Sequence, residues 1–383
     1  MIHAISMKKI VLFSAFVSPY RSGAEACAEE VAARLKDRYD ITIIAARMRK
    51  DLPIDDVLPT GVKVKRVGFG SSIDKWLYPI LAPSAAAALQ PDIIHAVLES
   101  FAGLALMFSK SVVPHAKRIL TCQSTNTSLL VAPMHRAAHR VTAISSVLVA
   151  RAKHFGVDAT LIPNGIRSKE LLEASAERVP GRILFVGRLE PMKGVDTLLE
   201  AFAVILRRAP AYAPGLRTGT QDDSAGVMVS PTNHDTVHLR IVGAGSERDR
   251  LERIATELKI ADRITFVGKV AHDRIATEYA SAEIFCGLST SEAFGNVFIE
   301  AQAVGCAVVA TNVGGIPDIV HNGATGLLVP PKDPAAAADA LLRLLDDDDL
   351  RRRLGEGGRA NAAKYDWEGI SERYTTVYEK LTK

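Results

Sequence analysis

The chain has 383 residues, 48% of them apolar and 23% charged, with a formal net charge of +4 at pH 7. This length suits two domains better than one core, and the composition excludes a disordered or fibrous chain. No apolar run approaches the ~18–20 uninterrupted residues of a membrane helix.

In chain order, "KKIVLFSAF" near the start is an apolar run typical of a buried parallel strand. It lacks the longer apolar core and cleavage site of a signal peptide, so a cytoplasmic location is expected. "SGAEACAEEVAARLKDRY" follows with a strong helix signal. "DITIIAAR", "VKVKRVGF", "PDIIHAVL", "KRILTCQS", "HRVTAIS" and "DATLIPNGI" are mostly strand-like, with helical stretches between several of them. Such alternation is that of a doubly wound parallel sheet. Residues 167–180, closing in Pro180-Gly181, read as a linker. The pattern then restarts: "RILFVGRL", a helix over 195–208, "HLRIVGAG", a helix over 246–259, "RITFVGKV", "AEIFCGLS", a helix over 296–304, "AVVATNVGG", "GLLVPP" and a helix over 334–345. Residues 366–383 read as a last helix. The expected division is therefore 1–166, a linker 167–180, a second α/β domain 181–365, and a terminal helix. Residues 209–236, rich in Pro, Gly, Ser and Asp, read as an exposed insertion with a short hairpin around Val227–Val229.

The charge is uneven. Residues 1–180 carry 23 Lys/Arg against 15 Asp/Glu, whereas 181–383 carry 24 against 28. A basic first half suits an anionic acceptor or a membrane surface, and chance surface composition explains it equally well. Trp76, Leu77, Tyr78 and Ile80 in "SSIDKWLYPILAP" would form an interfacial patch or, equally well, pack against the neighbouring domain. No Lys/Arg block of the kind that binds nucleic acid is present. Cys27, Cys122, Cys286 and Cys306 are scattered, with no CxxC and no histidine at metal-ligand spacing, and read as buried reduced thiols. His95 reads as a packed strand-end residue. The tetra-aspartate 346–349, with Arg351–Arg353 behind it, reads as a solvated charged helix rather than a metal site.

Ligands of open α/β sheets bind beyond the carboxyl ends of the strands. Gly23, next to a helix start after the first strand, would let a phosphate approach free amides. In "IVGAGSERDR", Gly243 and Gly245 begin a dinucleotide fingerprint that fails at Arg248, which removes the main support for a dehydrogenase. "FVGRLEPMKG" brings Arg188 and Lys193 past a strand end, with Gly187 and Gly194 allowing a tight path. Two such cations would stabilise the charge on a departing diphosphate, or are merely solvated. "SEAFGNVFIEAQAVG" sets Glu292 and Glu300 eight positions apart. In one continuous helix they would lie about 12 Å apart along the axis, beyond the roughly 5–9.5 Å of glycosidase carboxylate pairs. Reading Asn296 as N-cap puts Glu292 in the preceding loop and Glu300 in the second helical turn. The amides of Phe294 and Gly295 then face the same side, an arrangement that suits two grips on a hydroxyl-rich ligand better than proton shuttling. Gly314-Gly315 in "TNVGGIPDIV" again permits close backbone approach.

Taken in order, "VGRLEPMKG", "IVGAGSE", "ITFVGKV", "SEAFGNVFIEAQAVG" and "NVGGIPDIV" resemble the family 4 retaining glycosyltransferases of the GT-B fold, over essentially the whole chain. The resemblance implies an α/β architecture of two Rossmann-like doubly wound parallel-sheet domains facing a cleft, with the C-terminal helix crossing back to the first domain. It implies that Arg188 and Lys193 bind the donor diphosphate, that Glu300 holds the nucleotide ribose, and that Glu292 with the amides of Ala293, Phe294 and Gly295 holds the transferred sugar. Val267–Val270, including Lys269, would border the base, and Gly23 would approach the phosphates. Gln123, Asn164, Gly187, Gly243, Asn296 and Gly314 complete the expected substrate-binding set. Three departures stand out. Ser22-Gly23 replaces a Gly-Gly pair, Gln123 stands where many members carry histidine, and Asp318 replaces the usual Glu.

The expected function is transfer of a hexose-type sugar from a nucleotide diphosphate donor to a hydroxyl acceptor (a glycan, a lipid-linked acceptor or a small molecule), with Arg188, Lys193 and Glu292 as the catalytic set. No metal or other cofactor is expected. A sugar-nucleotide epimerase of the same architecture and a non-catalytic sugar-nucleotide-binding protein are the alternatives. Peripheral contact with the inner membrane face through the basic first half is a further expectation.

Overall fold

The central apolar runs of the first half form parallel strands covered on both faces, as in "IIHAV", where all five residues are buried. The computed structural model describes residues 7–20, 23–174, 176–208 and 236–382. The expected insertion and its hairpin lie outside them, apart from Thr236, as does Ser22.

Two units of similar size divide the chain, one of residues 1–166 with 365–383, the other of residues 167–364. The first runs β1 (Lys9–Phe13), α1 (Gly23–Leu35), β2 (Asp40–Ala46), β3 (Asp55–Val57), β4 (Lys63–Val67), α2 (Asp74–Leu89), β5 (Ile93–Val97), α3 (Phe101–Val112), β6 (Lys117–Cys122), α4 (Val131–Ala137), β7 (Arg140–Ala143), α5 (Ser146–His154) and β8 (Ala159–Leu161). Its sheet has the order β3-β4-β2-β1-β5-β6-β7-β8. All pairs are parallel except the short edge strand β3, which folds back on β4. β3 escaped the sequence reading because "DDV" has no apolar alternation.

The second unit runs α6 (Ser168–Glu173), β9 (Arg182–Val186), α7 (Val195–Arg208), β10 (His238–Val242), α8 (Arg248–Glu257), β11 (Ile264–Gly268), α9 (His272–Ala280), β12 (Ile284–Gly287), α10 (Asn296–Ala303), β13 (Ala307–Thr311), β14 (Leu327–Val329), α11 (Pro334–Asp346) and α12 (Asp348–Ala362). Its six strands are parallel in the order β11-β10-β9-β12-β13-β14. Ile183, Phe202, Ile241, Leu341 and Leu344 are fully buried in its core, each stabilising the fold by roughly 1.5–3 kcal/mol. The expected linker is not an extended connection: it carries α6, packed on α9 and α10 within this unit.

The last helix, α13 (Trp367–Thr382), belongs to the first unit. It buries Trp367, Ile370, Tyr374 and Tyr378 against Cys27, Val31, Ile41 and Ile93. Gly165 of "IPNGI" makes room for this helix, since a Cβ there would lie 2.5 Å from the Trp367 ring. His95 is fully buried and takes part in this packing, with Nδ1 2.8 Å from the Tyr378 hydroxyl and Nε2 2.7 Å from Thr121 Oγ1. Burial holds it neutral, its pKa lowered from 6.5 to about 3.

Two expectations are sharpened. Tyr78 is not part of an exposed patch: it is fully buried and donates to the Ile44 carbonyl at 2.8 Å. The exposed large apolar residues of this region are instead Phe69, Ile73, Trp76 and Ile80, at 74, 61, 66 and 65%. The tetra-aspartate is the joint between α11 and α12, where Asp347 caps α12 by accepting from Leu350 N. Asp348 and Asp349 pair with Arg351 and Arg352 at i,i+3 spacing.

Candidate functional site: the switch point of the second sheet

From β9 the chain steps outward through β10 to β11, then returns to lay β12 on the other side of β9. The strand order thus reverses between β9 and β12. Crossover connections leave the sheet to opposite faces there, and a crevice opens at the carboxyl ends. The loops after these two strands are 187–194 and 288–295. Lys193 ends a short 3-10 turn, Pro191–Lys193, and Gly194 follows with φ +62°. A side chain at Gly194 would meet the Leu288 carbonyl at 2.0 Å, so only glycine lets the two loops touch. Thr290 N donates to the Met192 carbonyl at 2.8 Å and fixes the contact.

Across this join Lys193 Nζ donates to Glu292 Oε2 at 2.5 Å, with side-chain exposures of 18 and 15%. The two residues expected to serve diphosphate and sugar separately are therefore joined as one ion pair. Arg188 is exposed and has no ion pair among the described residues. It is thus a cation open to an incoming anion.

The backbone of the Glu292 loop is held from β13. The Glu292 carbonyl accepts from Gly315 N at 3.0 Å, and Gly314 at φ +55° lies so close that a Cβ would stand 1.9 Å from that oxygen. Gly295 begins α10 with φ +103°. It is the N-cap in place of Asn296, which is the first helical residue and makes no side-chain cap. The chain must turn left-handed to pass between Glu292 and the Phe298 ring, a path open to glycine and strained for asparagine. Phe294 is buried, and Ala293 and Asn296 are partly exposed on the same turn.

Glu300 lies in the second turn of α10. Tyr279 from α9 donates to Glu300 Oε2 at 2.8 Å. Burial pushes the Glu300 carboxyl above its ordinary value, and the tyrosine bond opposes this. Gly187 N donates to the Val242 carbonyl and Gly243 N to that of Gly268, at 3.0 and 2.9 Å. A Cβ on Gly243 would stand 1.8 Å from the Gly187 carbonyl. Val267, in β11, and Lys269, exposed beyond it, lie at the same carboxyl edge. The second unit thus collects at one edge the residues expected to hold a nucleotide sugar.

In the first unit the switch point lies between β1 and β5. Gly23 opens α1 beyond β1. Gln123 follows β6 and is 8% exposed, and its Oε1 accepts from Asn164 Nδ2 at 3.0 Å. Asn164 Oδ1 is buried without a hydrogen-bond partner among the described residues, and the Gln123 amide also bonds toward Cys27. All four cysteines are free and buried. The histidine absent from Cys122 in sequence is supplied by the fold, as His135 Nε2 lies 3.3 Å from Cys122 Sγ and 3.6 Å from Glu99 Oε1. The Arg151 guanidinium on the same Glu99 oxygen already supplies a positive charge there and would repel a cation.

Residues 173–361 match the family described as glycosyl transferases group 1, and residues 21–170 match glycosyltransferase family 4. Among solved structures, sucrose-phosphate synthase from Thermosynechococcus elongatus superposes with a TM-score of 0.80 at 23% identity, covering 98% of this chain and 99% of that one. Anabaena HepE in complex with UDP gives 0.74 at 19% identity, over 98 and 100%. These likenesses show the fold, that of the GT-B class with its two Rossmann-like sheets. The D-inositol 3-phosphate glycosyltransferase of Corynebacterium jeikeium is 38% identical over 197 residues, 51% of this chain and 43% of that protein. The chain belongs to the family 4 glycosyltransferases of the GT-B fold. It spans about half the length of the curated relatives it matches.

Proposed function

We propose that the protein is a retaining glycosyltransferase that moves a hexose-type sugar from a nucleotide diphosphate donor to a hydroxyl acceptor. The observation that carries the reading is the Lys193–Glu292 pair at the switch point of the second sheet. A donor diphosphate arriving there would take Lys193 as its partner together with Arg188, and would free Glu292 to accept hydrogen bonds from sugar hydroxyls. Glu300 would hold the ribose. The two cations would stabilise the charge that develops on the departing diphosphate. In same-face substitution the C1–O bond to the diphosphate breaks and the acceptor oxygen bonds C1 from the same side. The acceptor proton passes to the leaving phosphate. Glu292 is not the base in this scheme, and the cations supply the positive charge that a metal would otherwise bring.

The relatives named for D-inositol 3-phosphate make a cyclitol phosphate one acceptor to assay, alongside sugars and lipid-linked glycans. In this reading Gln123, with Asn164 bonded to its Oε1, would turn its amide to such hydroxyls. Peripheral membrane contact belongs to the same reading. No helix among the described residues is long and apolar enough to cross a membrane, but Phe69, Ile73, Trp76 and Ile80 present an apolar face with Lys75 beside Trp76. Sedimentation with anionic vesicles at low salt tests it, and Trp76→Ser should release the protein.

A panel of UDP-, GDP- and ADP-sugars, each with and without acceptor, tests the activity. Release of nucleoside diphosphate that depends on acceptor supports transfer. Conversion of the sugar nucleotide without acceptor would mark an epimerase. Binding without turnover of any donor, with every acceptor class supplied, would contradict catalysis.

A further inference from the structure

The chain leaving β5 is bent in a way its sequence does not announce. Leu98 has φ +86°, a left-handed conformation that is strained for leucine, and Ser100 follows at φ −141° and ψ −125°. Between them Glu99 is turned fully inward, its side chain 0% exposed. The bend sits at the carboxyl edge of the first sheet, on the β5 side of its switch point. Strain of this kind persists where surrounding contacts over-determine it.

Those contacts converge on one segment. Glu99 Oε2 accepts from the backbone amides of Gln123 at 2.8 Å and Ser124 at 3.2 Å. The Glu99 carbonyl accepts from Asn126 Nδ2 at 3.3 Å. Arg151, from α5, bonds Glu99 Oε1 through Nη2 and reaches the carbonyls of Ser124 and Asn126 through Nη1, at 2.7 and 3.0 Å. Segment 123–126 is thus gripped on its donor side by a carboxylate and on its acceptor side by a guanidinium. Burial pushes the Glu99 carboxyl up, but His135, Arg151 and the backbone amides outweigh it, so the group stands below its ordinary value and is ionised. Burying such a pair is costly, and an apolar pair of the same volume would often stabilise a fold as well or better. What apolar side chains would not do is fix the backbone of this four-residue segment in one geometry.

We propose that Glu99 and Arg151 are positioning residues that lock segment 123–126, and so hold the Gln123 side chain beside Asn164 for a bound substrate. Neither residue touches the substrate. The role of Gln123 rests on the glycosyltransferase reading, whereas the locking of the segment does not.

Hydrogen exchange on the full chain tests the lock without any turnover. Glu99→Gln keeps the shape, loses the charge and turns an amide NH2 group toward the backbone donors or the guanidinium. Exchange at 123–128 should accelerate by about 10-fold or more, with α1 and α13 unchanged. In the transfer assay the same variant should lose roughly 10²-fold in kcat, with donor KM close to wild type because the donor sits on the second unit. Unchanged exchange at 123–128 would overturn the proposal, as would an equal rise throughout the first unit, the mark of a general core defect. If Glu99→Gln does not fold, Arg151→Lys reads the same segment from the more exposed partner. It should loosen 123–128 selectively, and no change there would overturn the lock. Wild-type protein that turns over no sugar nucleotide would remove the functional reading and leave exchange to decide the lock. Normal transfer by a variant with a loosened segment would remove the role of Gln123 alone.

Discussion

Lys193 and Glu292, 99 residues apart in sequence, are joined by a 2.5 Å ion pair across the two loops that flank the β9/β12 switch point. Each offsets the charge of the other. Lys193→Ala removes the cation and leaves the Glu292 carboxylate, which in the proposed reading would face the donor phosphates, without its partner. Turnover should fall by about 10²–10³-fold, with donor affinity also reduced. The melting temperature should drop by less than about 4 °C in a chain of this size. Steady-state kinetics with a thermal melt checks both, and near-normal turnover would remove Lys193 from the mechanism.

Glu300 carries a pH prediction. Its folded pKa is raised by burial, so the carboxylate that would hold the ribose is lost at a higher pH than an ordinary glutamate. Donor affinity should therefore weaken as pH falls through that raised value. Tyr279→Phe deletes the hydrogen bond that opposes the shift, and should move the acid limb of donor binding to still higher pH. Calorimetric titration of the donor across pH 4–8 reads the displacement, and an unmoved limb would free Glu300 from this role.

Gly314 is constrained twice, by φ +55° and by the Glu292 carbonyl 1.9 Å from any added Cβ. Gly314→Ala should cost about 1–3 kcal/mol and, by shifting the Glu292 loop, reduce turnover by roughly 10-fold or more. Gly323 has φ +77° with open space around it. Gly323→Ala should lower the melting temperature and leave turnover intact, which separates strain from site geometry.

Much of this site was legible because its residues are local to strand ends. "SEAFGNVFIEAQAVG" contains the loop, the helix start and both glutamates, and their division between loop and second turn holds in the structure. The N-cap was misread because Asn is a common cap residue, whereas the close passage of Phe298 and Glu292 that demands glycine is tertiary. The Lys193–Glu292 pair was not legible, since nothing in either motif names the strand order that brings them together. Glu99 was missed for a similar reason. A lone glutamate after an apolar strand reads as solvated, and its partners Gln123, Ser124 and Arg151 come from two other elements. Which members of that stretch are exposed was not legible, because a patch counted along the sequence ignores the helical face: Ile73, Trp76 and Ile80 face outward and Tyr78 does not.

His95 ties α13 to the first sheet and makes stability pH-dependent. The unfolded chain takes up this proton near pH 6.5, the native chain only near about 3. Stability from this group is therefore complete above 6.5 and declines as pH falls toward 3, at up to roughly 1.4 kcal/mol per pH unit. His95→Gln, which can still bond Tyr378 and Thr121, should flatten the fall of melting temperature between pH 6 and 4. An identical slope in both proteins would assign that acid sensitivity elsewhere.

The most direct test of the account is the anomeric configuration of the first product, read by proton NMR as acceptor, donor and wild-type protein react, with Lys193→Ala alongside. The account predicts a new glycoside with the configuration of the donor, formed only when acceptor is present and lost in the variant. An inverted product, or one formed equally well without Lys193, would contradict it.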